Sequence, residues 1–378
     1  MQIGVGAATR ATARPTVPKL PALTGVRAFA AWWVVLFHAK AQLAPYLPGW
    51  TQAVIGAGNW GVDLFFVLSG FVIELNYGER VGTDRSSIVT FLQRRFARIY
   101  PLHFFMLCLA VIYALGVLYR GGHPTASYDF RYLPAHFLLV QAWGFDPALR
   151  WNVPAWSIST EFLAYLLFPL MVLGGRPRSW RWPGQIMAVA ALIGLLWLAH
   201  RWLGVDRLGA ATAPLAPVRC VCEFAVGVVL CALFLGERER IAPRAAWMLL
   251  IFAVPIAAFA IALRLDARIY VPVICALLVF GLALAGTRAG PFGWRAIVYL
   301  GDISYSTYMT HYLLLVMFKI IFVRAPGGLI PPAPLAGYFV LTLLASVMLY
   351  HLLELPAQSA LLRSFGLRRS KCIPVGAP

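Results

Sequence analysis

Hydrophobic runs of about twenty residues, each closed by a short polar or basic stretch, recur along the whole chain. Wound as helices, runs of that length match the hydrocarbon thickness of a bilayer. The pattern predicts crossings near residues 23–40, 61–75, 102–119, 156–173, 185–203, 214–235, 245–263, 269–285, 296–323 and 335–353. A shorter apolar piece at 132–143 cannot span and reads as a re-entrant or interfacial helix. The short alternating segments of a membrane barrel are not the pattern here. The expected fold class is therefore all-α: a polytopic integral membrane protein with about ten transmembrane helices and one short interfacial helix.

Composition agrees. Of 378 residues, 61% are hydrophobic and only 12% charged, and the mean hydropathy is +0.76. A soluble protein of that length would need far more polar surface. The net charge of +18 comes mostly from Arg in the connections. With 132–143 not crossing, the clusters Arg94/Arg95/Arg98, Arg176/Arg178/Arg181, Arg238/Arg240/Arg244, Arg288/Arg295 and Arg363/Arg368/Arg369/Lys371 all fall on one side. By the positive-inside rule that side is cytoplasmic and holds both termini. The expected organisation is a tail at 1–20, a transmembrane domain at 21–356 and a basic tail at 357–378. Residues 1–20 contain no apolar signal core.

The basic residues suit a lipid bilayer or a polyanionic soluble ligand. They are scattered among spans rather than grouped, which argues against nucleic acid. The six Cys lie mostly within apolar spans and read as small hydrophobes. No metal-ligand or phosphate-loop motif is present, so no metal or bound cofactor is expected.

The polar residues inside the spans carry the functional signal, because burying them in hydrocarbon is costly. Arg27 and His38 are eleven positions apart, which places them on one helix face, roughly 16 Å apart along the axis. Asp63 and Glu74 repeat that spacing on the next span. Antiparallel packing would make His38–Asp63 and Arg27–Glu74 pairs possible. Ser157 and Glu161 lie one turn apart, and Ser304, Tyr308 and His311 share a face. His38, Asp63, Glu161 and His311 are thus expected at a similar depth, around a possible pocket.

Arg95 and Arg98 sit on an amphipathic turn that Pro101 is expected to end or redirect. Plainer roles compete for several of these residues. Asp63 can cap a helix, Glu161 can accept a bond from a neighbour, and Glu223 can pair with Arg219. His103 and His351 can lie at the interface.

Five stretches together resemble the membrane-bound acyltransferase-3 family. They are Arg27 with His38, GVDLFFVLSGF at 61–71, RFARIYP at 95–101, PAWSISTE at 154–161 and ISYSTYMTH at 303–311. The resemblance covers nearly the whole chain, with the stretches in the family's order. It implies an O-acyltransferase that moves an acyl group, most often acetyl, from acyl-CoA to a hydroxyl of a saccharide or glycoside. The expectation is the membrane core alone, without a fused esterase-like domain, in a bacterial cytoplasmic membrane. Acyl-CoA would be a donor substrate rather than a cofactor, arriving from the cytoplasm, with the acceptor at the outer face.

For that chemistry His38 is the candidate base, oriented by Asp63 or Glu161. Arg27, Arg95 and Arg98 are candidates for the donor's phosphates, and Ser157, Ser304, Tyr308 and His311 for the pocket. A rival reading is a proton-coupled secondary transporter or exporter of a glycan or lipid-linked sugar, with His and Asp as a proton relay. Neither an inverted repeat nor paired broken helices supports it. A non-catalytic scaffold would leave the shared depth of the polar groups unexplained. The oligomeric state is not legible.

Overall fold

The computed structural model describes residues 19–368 apart from 83, 123–124, 206–207, 209–214, 287–289, 324 and 326. Most of the 1–20 tail, Arg288, Arg369 and Lys371 lie outside the described residues. Every regular element among the described residues is helical. The first half of the chain forms α1 (Pro21–Leu43), α2 (Gly49–Gly56), α3 (Trp60–Tyr77), α4 (Arg85–Tyr119), α5 (Leu133–Phe137) and α6 (Ala155–Leu173). The second half forms α7 (Trp182–Trp202), α8 (Leu215–Glu237), α9 (Pro243–Ala262) and α10 (Ala267–Ala285). It closes with α11 (Arg295–Asp302), α12 (Ser304–Phe322), α13 (Pro332–Leu349) and α14 (Leu355–Ser364).

Nine segments among the described residues are long and apolar enough to cross a membrane. They correspond to all the expected crossings but one. The exception, 296–323, is broken at Ile303 into α11 and α12. The nineteen residues of α12 begin with a run of buried polar side chains, Ser304 to His311, which lowers its hydropathy. The 132–143 piece is a five-residue helix, α5, flanked by 3-10 turns.

Pro101 does not end its helix. The helix α4 runs through it for 35 residues. Packing partners within a bundle can compensate for a proline that would stop a solvated helix.

The centre of the bundle is α3, which packs on α1, α8 and α10. In the apolar part of α8, 72% of residues are buried, against 17% in α7. The first is therefore a core helix and the second faces lipid. Van der Waals packing between helices depends on close approach in a solvent as apolar as the side chains. Gly70 of α3 lies against the Phe224 carbonyl of α8, and Gly227 of α8 against the Val67 carbonyl and Phe71 amide of α3. A Cβ at either position would collide with backbone, which cannot swing aside.

Gly227→Ala should therefore destabilise the fold by ~1–3 kcal/mol, seen as a lower thermal midpoint in detergent. Gly194→Ala, where a Cβ would meet nothing within 4 Å, should be neutral or slightly stabilising.

Candidate functional site

A cavity of about 820 Å³, including its open mouth, lies among α1, α3, α4, α6 and α12. It follows α3 from Val62 to Ile73, roughly 16 Å at 1.5 Å per residue. Three guanidiniums line it, Arg27 from α1 and Arg95 and Arg98 from α4, against one lining carboxylate, Glu161 of α6. The spacing of Arg95 and Arg98 on one turn presents both to the same space.

Arg27 Nε donates to Ser304 Oγ at 3.3 Å. Arg95 Nη2 donates to the Tyr77 hydroxyl at 3.0 Å, its guanidinium 4.9 Å from that ring's centre. Arg98 forms an ion pair with Glu354, whose other oxygen accepts from Ser306 Oγ at 2.6 Å. Glu354 ends a π-helical turn, Tyr350–Glu354, between α13 and α14. Glu161 Oε1 accepts from Ser69 Oγ at 2.5 Å and from the Tyr165 hydroxyl at 2.6 Å. At the far end Ser157 Oγ and the Tyr308 hydroxyl are 2.7 Å apart.

Just beyond that end stand two histidines. The Tyr308 ring, which lines the cavity, is 6.0 Å from the His311 ring. His311 Nε2 is 3.1 Å from His38 Nδ1. His38 Nδ1 also lies 3.0 Å from the Val34 carbonyl, and His311 Nδ1 3.2 Å from the Thr307 carbonyl. Carbonyls only accept, so both Nδ1 atoms carry the proton in the neutral rings. His38 Nδ1–H is then shared between Val34 O and the lone pair of His311 Nε2. Both nitrogens of His311 are used, whereas His38 keeps a basic Nε2. The pair thus favours His38 over His311 as a proton acceptor.

Several expected pairings are not formed. Gly61 packs against Ala30 and Val34 of α1, so Asp63 falls level with about Ala30, roughly 12 Å inward of His38 along the axis. A level with His38 was expected from span ends alone, which do not fix the register of two helices. Asp63 is fully buried and paired with Arg219 of α8 at 2.7 Å. Glu74 pairs with Arg178, not Arg27. Glu161 does not touch His38 either, because its bonds go to Ser69 and Tyr165. The carboxylate orienter expected for His38 is replaced by His311 and a backbone carbonyl.

Arg219 bonds Asp63 rather than Glu223, and both Glu223 oxygens are buried without a hydrogen-bond partner among the described residues. His103 is not interfacial but buried, donating from Nε2 to the His136 carbonyl at 2.8 Å. Of the other expected residues, Arg27, Arg95, Arg98, Ser157, Glu161, Ser304 and Tyr308 meet around one cavity.

The comparisons with known proteins bear on this arrangement directly. The sequence pattern of the acyltransferase domain matches residues 20–351. The chain belongs to the acyltransferase-3 family.

It is 32% identical over 330 residues to the acyltransferase MdmB of Streptomyces mycarofaciens, covering 80% of each chain. It is 28% identical over 163 residues to the O-acetyltransferase OatA of Staphylococcus aureus, 40% of this chain but 24% of that one. A protein 2 in the picA locus of Rhizobium radiobacter is 32% identical over 163 residues, 39% of this chain and 78% of that one. No solved structure matches. The protein is a membrane O-acyltransferase enzyme.

In this acyltransferase, several cavity residues escaped the sequence reading. Ser69 lay inside GVDLFFVLSGF, and Tyr165 lies four residues after Glu161, a spacing that signals a shared face. Outside the cavity wall, the pairing of Arg219 with Asp63 and of Glu354 with Arg98 had no such signal, because the partners are 156 and 256 residues away in sequence.

Removing one partner of a buried ion pair leaves an uncompensated charge, at a cost of ~3–5 kcal/mol. Asp63→Ala should therefore lower the thermal midpoint in detergent and the amount of protein in membranes. A variant of normal stability with no turnover would instead assign Asp63 to the chemistry.

Proposed function

We propose that this acyltransferase moves an acyl group, most simply acetyl, from acyl-CoA to a hydroxyl of a saccharide or glycoside. The donor enters from the cytoplasm and the acceptor arrives at the outer face of a bacterial inner membrane, with both termini cytoplasmic. The observation that carries this reading is one cavity with three guanidiniums and a histidine pair just past its far end. A coenzyme A donor bears several phosphates and a long uncharged arm ending in a thioester. Guanidiniums bind phosphate oxygens through charge-assisted, often bidentate bonds. A channel roughly 16 Å long gives the arm a path from the arginines towards His38. The one-sided Arg distribution supports the orientation.

In the transfer step His38 Nε2 takes the acceptor hydroxyl's proton as its oxygen bonds to the thioester carbonyl carbon. The carbon–sulfur bond then breaks, and the imidazolium returns its proton to the departing thiolate. His311 acts as a positioning residue. Its Nε2 accepts the His38 Nδ1 proton and so leaves the opposite nitrogen basic.

His38→Ala should cut thioester-dependent release of free coenzyme A by at least ~10²-fold, the usual contribution of a positioned base, while donor binding persists. His311→Ala should cost less, and an equal or larger loss there would reverse the two roles. Arg95→Ala should weaken acyl-CoA binding by calorimetry ten- to hundredfold, about 1.5–3 kcal/mol. Unchanged binding would make Arg95 a topological residue only.

A further inference from the structure

Among the described residues, Glu161 is the one carboxylate lining the arginine cavity. Its hydrogen bonds reach neither His38 nor His311. Both go to Oε1, from Ser69 Oγ at 2.5 Å and from the Tyr165 hydroxyl at 2.6 Å. The Ser69 bond alone joins α6 to α3, so Oε2 adds nothing to that joint. Oε2 has no hydrogen-bond partner among the described residues. The two Glu223 oxygens, also without partners, are sealed inside the bundle, whereas Glu161 is half-buried with Oε2 open to the cavity.

The position of Glu161 along the cavity is fixed from two sides. Ser69 lies between Val62 and Ile73, the ends of the cavity along α3. On α6, Ser157 stands at the far end, and Glu161 follows four residues later, about 6 Å along the axis. Tyr165, one turn further, has its ring centre 6.0 Å from the Arg95 guanidinium. The order along the wall is therefore Ser157, Glu161, Tyr165, then the arginines. Phe65, Val72, Ile99 and Ile158 make much of the remaining wall apolar.

A coenzyme A thioester has a polar group that matches this order. Two methylenes separate its sulfur from the nearest amide nitrogen, about 4 Å when extended. A thioester held level with Ser157, its arm running towards the arginines, brings that N–H to the level of Glu161. An amide N–H taken from water into a largely apolar channel needs an acceptor there.

We propose that Glu161 Oε2 accepts the N–H of the donor amide nearest the thioester, and so sets how far the acyl group reaches towards His38. The assignment rests on the acyl-CoA reading above. It makes Glu161 a donor-binding residue and not the orienter of a base. A thioester with an ester oxygen in place of that N–H would set one acceptor against another. In Glu161→Gln, Ser69 and Tyr165 still donate, which keeps the side-chain oxygen in the place of Oε1 and turns the NH2 group to the arm. Donor then faces donor.

Two non-reacting probes test this by calorimetry on the purified full chain. One is S-ethyl-coenzyme A, and the other is the same molecule with the amide nearest sulfur replaced by an ester. Wild type should bind the amide probe at least ~10-fold more tightly, the loss expected for one hydrogen bond to a charged group. Glu161→Gln should abolish or invert that preference. Arg95→Ala should weaken both probes and keep their ratio.

Equal binding of the two probes by wild type would overturn the proposal without recourse to any variant, and would leave the acyl-CoA reading standing. A Glu161→Gln protein with the wild-type ratio would also overturn it, and lost turnover of acetyl-CoA in that protein would place Glu161 in the chemistry. Binding of neither probe by wild type would sink the acyl-CoA reading, and this assignment with it.

Discussion

A charge in an apolar interior is costly without a partner, and that cost shapes this bundle. Asp63 is paired by Arg219, Glu74 by Arg178 and Glu354 by Arg98. Each pair joins elements far apart in the chain. The first fastens α3 to α8, the second fastens α3 to the turn after α6, and the third fastens α4 to the start of α14. A helix in lipid can otherwise rotate about its axis with little change in hydrophobic burial. The ion pairs, with the glycine contacts of α3 and α8, fix the rotation that turns Arg27, Arg95 and Arg98 towards one space.

This division of labour separates two kinds of cation that look alike in sequence. Arg178 and Arg219 answer buried carboxylates. Arg27 and Arg95 meet hydroxyls and aromatic faces at the cavity wall. Arg98 does both, since Glu354 and the Tyr305 ring share its guanidinium. A guanidinium resting on a hydroxyl, as that of Arg27 rests on Ser304, keeps most of its charge available to an anion.

The spans were legible because length and hydropathy alone determine them, and Ser304, Tyr308 and His311 because one helical turn relates them. Arg27, Arg95 and Arg98 were legible because cations near an apolar span are rarely accidental. The register between α1 and α3 was not. It depends on Gly61 seating against Ala30 and Val34, which moves Asp63 about two turns away from His38. Nor was the contact between His38 and His311, which a chain separation of 273 residues hides from any local pattern. Polar residues therefore announced that a site exists, while close packing between helices decided which of them meet.

One detail of the fold bears on how such a site can change over time. The π-helical turn at Tyr350–Glu354 adds a residue to the helix at the point where Glu354 turns inward to Arg98. An extra residue rotates everything after it by about 100° relative to a regular helix. The direction of Glu354 is thus encoded in how many residues precede it more than in which ones they are. Loss of a single codon there would swing the carboxylate off Arg98 and turn the whole of α14 with it, although Leu352 or Leu353 could be exchanged for another apolar residue without that consequence.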